Sequence, residues 1–229
     1  MKFKFIDDLS ILEIVNLLSI GLSSYNFKQH IPSDIGSHNQ YIDPKNLKTS
    51  SYLEHINNWT TENKMLLNIK KCQSMIFNFT RKYQFSTRLS IENEGISIVD
   101  EVKLLGVIIT SDLSWNKNTS YLVKKAYSRM RLLHKLIEFD VPKIDSVHVY
   151  ILFIRSVCEQ SCTVWHSSLT QENSDELERI QKVALKVIFK EDYISYENSM
   201  IKSELELLST RREQLCLNFA QKSLKNPQI

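Results

Sequence analysis

The sequence predicts an α+β chain: a partial antiparallel sheet with one helix, followed by an all-α domain. Two observations predict it. Up to about residue 110 the apolar residues alternate in short runs, as in Lys2-Phe3-Lys4-Phe5 and in Met75, Phe77 and Phe79. Period two marks a half-buried strand. From Trp115 onward the apolar residues recur at helical spacing instead. The boundary between the two regimes falls near Asp112 to Asn116, which divides the chain into residues 1–112 and 113–229.

In the first half, Lys2 to Ile6 is a strand, with Phe3 and Phe5 on one side and the lysines on the other. Leu9 to Leu18 is short and apolar. Residues 19–50 are polar and turn-rich, with Gly21, Pro32, Asp34, Gly36 and Pro44, and read as a long loop or insertion. Tyr52 to Leu67 is expected to be one helix, with Leu53, Ile56, Met65 and Leu67 turned inward and Trp59 near its middle. A polar step, Asn68-Ile69-Lys70-Lys71, leads to a strand over Ser74 to Phe79. Leu89 to Glu92 and Ile96 to Val99 form a hairpin around Asn93-Glu94-Gly95. Val102 to Thr110 is the strongest β segment.

In the second half, one helix is expected from Thr119 to Glu138 and a central one from Asp145 to Trp165, begun near Pro142. A third covers Ser174 to Phe189. Its acidic residues Asp175, Glu176 and Glu178 come early and Lys182, Lys186 and Lys190 late, as the helix dipole prefers. The last helix runs from Ile201 to Leu224, with a break near Ser209-Thr210.

Composition narrows the function classes without choosing one. A formal charge of +3 is too small to establish a nucleic-acid partner, so the distribution of charge must carry that argument. Cys72, Cys158, Cys162 and Cys216 form no CxxC pair; free thiols in a reducing compartment are the expectation, and a zinc site is not. No signal peptide is evident, and the apolar run Val149 to Ile154 is ended by Arg155. No membrane span is therefore predicted, and the expected location is the cytoplasm or nucleus.

Two stretches carry candidate chemistry. Asp7 and Asp8 come after a strand, and paired carboxylates at a strand end suit Mg²⁺, which takes carboxylate oxygens. Taken alone these residues are more simply a surface turn, or Asp8 capping a helix through Leu9, Leu12 and Val15. The second stretch is 117–135, which holds Lys117, Lys124, Lys125, Arg129, Arg131 and Lys135 and no acid. On a helix, Leu122, Ala126, Met130, Leu133 and Ile137 fall within about 80°, and Lys117, Lys124, Arg131 and Lys135 within about 40° on the other side. A single-sign face suits a row of phosphates, although lysine-rich faces are also simply solvated. The six histidines show no ligand spacing, and no GxSxG, Walker A or GxGxxG pattern occurs.

Read in order, the pieces resemble the C-terminal half of a reverse transcriptase of a jockey-like non-LTR retrotransposon. Phe5-Ile6-Asp7-Asp8 resembles the family's aromatic-X-Asp-Asp box. Trp59 and Asn63 to Lys71 resemble the palm helix and lysine turn that come next. Lys103-Leu104-Leu105-Gly106-Val107 and Asp112-Leu113-Ser114-Trp115 resemble the primer-grip hairpin and the entry to the thumb. Arg155 to Trp165 and Leu177 to Leu185 resemble thumb helices. The resemblance implies a palm end over 1–112 and a thumb over 113–229. It implies template-directed DNA synthesis on an RNA template and DNA primer, with two Mg²⁺ ions. Asp7 and Asp8 would be the catalytic metal ligands, and Lys71 would stand near the triphosphate of the incoming deoxynucleotide. Leu105 and Gly106 would hold the primer by backbone contacts. Lys117, Lys124, Arg131 and Lys135 would track the nucleic-acid backbone.

The sequence departs from that family in three small ways: Ile69 where proline is usual, Cys72 where threonine is usual, Asn118 where histidine is usual. The family's fingers and its other metal-binding aspartate have no counterpart in these 229 residues, so weak metal binding and no polymerisation by these residues alone are expected. A non-catalytic nucleic-acid-binding helical module and a functionless retroelement relic are the alternative readings.

Overall fold

The computed structural model describes residues 4–6, 38–41, 48–77, 83–86 and 88–225, and shows a mixed α/β chain that is mostly helical. The chain divides into two compact units, residues 1–102 with 110–113, and residues 103–109 with 114–229.

In the first unit, strand β1 (Lys4–Ile6) and strand β2 (His38–Tyr41) precede helix α1 (Lys48–Glu62) and strand β3 (Met65–Leu67). The helix expected over Tyr52 to Leu67 therefore stops at Glu62. Lys64 takes a left-handed φ of 55°, which ends the helix and turns Met65 to Leu67 into a strand. There they pair in parallel with β1, Lys4 opposite Met65 and Ile6 opposite Leu67. Thr60 is the buried residue of α1, while Trp59 is half exposed. The expected loop over 19–50 contains β2, which pairs in parallel with β5 (Tyr83–Ser86).

The strand expected over Ser74 to Phe79 shrinks to β4 (Gln73–Ser74), with 75–77 irregular and 78–82 outside the described residues. Next come β6 (Ser90–Ile91), β7 (Glu94–Gly95) and β8 (Ser97–Ile98). β6 and β7 form an antiparallel hairpin whose turn is Glu92-Asn93, both left-handed at φ 50° and 69°. Two left-handed residues make the turn that matches strand twist, so Asn93 turns the chain. Gly95, expected in the loop, lies within β7. Ile91 and Ile96 are buried, and Asn57 of α1 donates to Glu92 at 3.1 Å.

A further pair, β9 (Glu101–Leu104) and β10 (Val107–Thr110), replaces the single strand expected over Val102 to Thr110. Among the described residues the strands form separate two-stranded pairs, not one antiparallel sheet. Three of the pairs are parallel. Parallel strands need long connections, and here each parallel pair joins strands that are distant in sequence. An antiparallel sheet arises when consecutive strands are neighbours; in this chain they mostly are not.

The second unit holds the main core. Helix α2 spans Asn116–Glu138 and buries Leu122, Ala126, Met130, Leu133 and Ile137, the apolar face its spacing predicts. It packs chiefly on α6 (Gln171–Phe189). The segment expected as one helix from Asp145 to Trp165 comes between them in the chain. It is instead α3 (Lys143–Val149), a π-helical stretch over Tyr150–Arg155, α4 (Ser156–Glu159) and α5 (Cys162–Trp165). The break falls at Gln160-Ser161, where Ser161 is left-handed at φ 52°. Leaving the helix there frees the Gln160 carbonyl, which accepts the Trp165 indole N–H at 3.0 Å. The segment is not buried all round: Tyr150, Ile154, Val157, Cys158, Cys162 and Trp165 are buried, whereas Leu152 and Phe153 face outward. Trp115 and Trp165 both fill the core.

Helix α6 starts earlier than Ser174 because Thr170 caps it, accepting from the Asn173 N–H at 3.2 Å. The last predicted helix is two, α7 (Tyr196–Lys202) and α8 (Leu208–Lys225). The break lies at 203–207, and Ser209-Thr210 falls in the first turn of α8. Gln181 and Arg212 are both wholly buried. Gln181 accepts from the Tyr150 hydroxyl at 2.8 Å and donates to the Tyr196 hydroxyl and the Glu206 carbonyl, each at 2.9 Å. Arg212 lies over the Trp165 ring, with Ser174 Oγ at 3.3 Å and His166 Nδ1 at 3.4 Å. Burial pulls the pKa of the guanidinium down, opposed first by Glu178.

No helix among the described residues is long and apolar enough to cross a membrane.

Candidate nucleic-acid interface

The sequence singles out three regions, and the structure treats them differently. Asp7 and Asp8 lie outside the described residues. Just before them, β1 and β3 run parallel with Ile6 opposite Leu67, so both strands end at the same edge of the ladder. A 3₁₀ turn over Ile69–Lys71 comes directly after β3, and Lys71 is exposed there. The parallel pairing thus brings the end of the strand before Asp7 next to the end of the strand before the lysine turn. Among the described residues, no three His, Cys, Asp or Glu side chains stand close enough to hold a metal ion. The two carboxylates to which the resemblance assigns Mg²⁺ are not among those residues, so no step through a metal is derived.

The second region is the hairpin tip. Leu105 and Gly106 form the two-residue turn between β9 and β10, both left-handed at φ 48° and 86°. Leu105 is 86% exposed, so the tip presents an apolar side chain to solvent. A Cβ at Gly106 would stand 2.4 Å from Gln160 Nε2. The positive φ favours glycine here, and a Cβ would also push the flexible Gln160 amide aside. Gly106→Ala is expected to lower stability by about 1–2 kcal/mol and to dislodge Gln160; chemical denaturation followed by circular dichroism measures it. An unchanged midpoint would mean the turn relaxes freely.

Residues of α2 and the helix break hold the tip in place. The buried Asn118 side chain accepts from the Ile108 N–H at 3.1 Å. Lys103 of β9 donates to the Tyr121 hydroxyl at 2.9 Å, its ammonium 4.3 Å from the ring centre. Lys125, one turn further along α2, lies 5.7 Å from the same ring and donates to Gln160 Oε1 at 3.2 Å. The bond from Lys103 lowers the pKa of the Tyr121 phenol, and Lys125 adds to the effect. Two ammonium groups share one aromatic ring, with Gln160 between Lys125 and Gly106. Cation–π attraction gathers them, and their mutual repulsion falls when an anion sits nearby.

The third region is the basic face of α2. Lys117, Lys124, Arg131 and Lys135 are all exposed, opposite the buried stripe. The face is not of one sign to its end: Lys135 pairs with Glu138 at 2.7 Å, and that bond lowers the pKa of the Glu138 carboxyl. Arg129 is turned away onto the Phe153 carbonyl. Tyr121 and Lys125 sit about 40° and 80° round the helix from Lys117, where Lys103 of the hairpin meets the helix. Sequence reasoning missed Lys103, Asn118, Tyr121 and Gln160. The Tyr121–Lys125 pair, four apart on one helix, was detectable locally; the other three needed contacts between distant segments.

Comparison of the chain with protein-family models, with curated proteins and with solved structures finds no match.

Proposed function

We propose that the chain is the palm end and thumb of a retroelement reverse transcriptase, whose second unit grips the backbone of an RNA–DNA primer–template. The observation that carries the proposal is the exposed row Lys117, Lys124 and Arg131 along α2, with the Lys103–Tyr121–Lys125 cluster and an exposed hairpin tip on the same unit. It supports the reading because the hairpin and the helix are the two pieces the resemblance assigns to nucleic acid. The shared edge of β1 and β3 is consistent with Asp7, Asp8 and Lys71 serving one site. In the intact family that site would use Mg²⁺ and a deoxynucleotide.

The test is fluorescence anisotropy of a labelled RNA–DNA duplex with the full chain over a salt series. Binding should weaken linearly in log salt, since each neutralised phosphate releases condensed counterions. Lys124→Glu with Arg131→Glu should reduce the magnitude of that slope by about two and weaken binding roughly tenfold or more at moderate salt. Binding indifferent to both salt and the double variant would overturn the reading.

A second reading is favoured by the core of the helical unit, which runs from Val107 to Leu208 as one cluster. Such a unit suits a binding module without chemistry. Isothermal titration with Mg²⁺ separates the two: affinity lost on Asp7→Ala supports the polymerase reading. Duplex binding unaffected by Asp7→Ala, with no Mg²⁺ affinity to lose, supports the module.

A further inference from the structure

Of the chain's thiols, two meet across the helical unit. Cys216 on α8 donates its thiol to the Cys162 carbonyl of α5 at 3.7 Å. The backbones of α5 and α8 pack directly on one another, as a disulfide requires. The other cysteines have no such partner. Cys72 donates to the Asn68 carbonyl in the first unit. Cys158, four positions before Cys162, is separated from it by the break at Gln160-Ser161. Exposure differs within the pair: Cys162 is 3% exposed, whereas Cys216 is half-buried.

We propose that Cys162 and Cys216 are a latent disulfide, closed by peroxide, that staples α8 to α5. The Cys216 thiolate attacks hydrogen peroxide, breaks the O–O bond and becomes a sulfenic acid, releasing hydroxide. The Cys162 sulfur then attacks that sulfenyl sulfur. The S–S bond forms, the S–O bond breaks, and the hydroxyl leaves as water with the Cys162 proton. In sum two thiols and one peroxide give one disulfide and two waters. Exposure sets this order. So does the Cys162 thiol itself, which burial first, and then the neighbouring sulfur, push up to about 11. A thiol held protonated is a slow first attacker and resolves the sulfenic acid once it forms next door.

The bridge would span a sequence separation of 54 residues, enclosing α6 and α7. Closing a loop of that size constrains the unfolded chain, so oxidation should raise the unfolding temperature. The experiment treats the full chain with hydrogen peroxide and reads three quantities. Intact mass should fall by two hydrogens, peptide mapping should find Cys162 joined to Cys216, and the melting temperature should rise by several degrees and return with dithiothreitol. Cys216→Ser, at a half-buried position, should abolish all three, whereas Cys72→Ser should leave them intact. Oxygen addition at Cys216 without a cross-link would overturn the proposal. So would a bridge to Cys158, or a bridge that leaves the melting temperature unchanged. If Cys216→Ser fails to fold, mapping of the oxidised wild-type chain decides alone.

Discussion

Trp165→Ala is expected to destabilise the helical unit by about 3–5 kcal/mol, the range for deleting a large buried aromatic. Trp165 is fully buried, and three separate features converge on it. Its indole N–H satisfies the Gln160 carbonyl that the helix break leaves unpaired. Its ring is the surface on which the buried Arg212 guanidinium lies, 5.9 Å from the centre. It also belongs to the same core cluster as Leu177 and Ile180 of α6 and Leu208 of α8. Removing it opens a cavity beside a buried cation and takes away the face that stabilises that cation. Trp165→Phe separates the effects, because it keeps a ring and loses the N–H; it should cost about 1–2 kcal/mol. Urea denaturation followed by far-ultraviolet circular dichroism measures both. A loss below about 1 kcal/mol for the alanine variant would mean the site is not packed as described.

Gln181→Leu should cost about 2–4 kcal/mol, although leucine is apolar and close in size. The position is wholly buried, so hydrophobicity alone favours the change. The hydrogen bonds decide against it. Gln181 accepts from Tyr150 and donates to both Tyr196 and the Glu206 carbonyl. With leucine there, the Tyr150 hydroxyl and the Glu206 carbonyl are left without these partners. The Tyr150 hydroxyl is fully buried, and a buried orphan costs about 1–3 kcal/mol; the Glu206 carbonyl belongs to an exposed residue and adds less. Tyr196 keeps its other bond, to Glu178. Gln181→Leu combined with Tyr150→Phe should recover part of the loss, since it removes one orphan along with its partner. A double-mutant cycle on denaturant midpoints reads that coupling. Additive losses would show that Tyr150 and Gln181 act independently.

These two residues also mark where sequence reasoning stopped. The faces of α2 were legible because a helix repeats every 3.6 residues. Leu122, Ala126, Met130, Leu133 and Ile137 are buried, and Lys124 and Arg131 are exposed. The third helix was legible for the same reason, with its charges ordered along the dipole. Gln181, however, sits within the predicted helix at a buried position and has no local signal distinguishing it from a solvated glutamine. Arg212 is read from sequence as a surface cation, and its burial depends on Trp165, His166 and Ser174, all on other segments. The hairpin turn was half legible: the resemblance implied it, whereas the apolar run Val102 to Thr110 argued for one strand.

Strand pairing was the least legible. Period two identifies a strand and its faces, but a strand's partner is chosen by hydrogen bonds to a distant segment. Lys4 to Ile6 chose Met65 to Leu67, and His38 to Tyr41 chose Tyr83 to Ser86, both in parallel. The sequence by itself determined the helical second half and the opposed apolar and basic faces of α2, because both depend on local spacing. Only the tertiary structure decided the break at Gln160-Ser161, the Lys103–Tyr121–Lys125 cluster and the meeting of Cys162 with Cys216. Each of these depends on contacts between residues far apart in the chain, whose energies no local pattern carries.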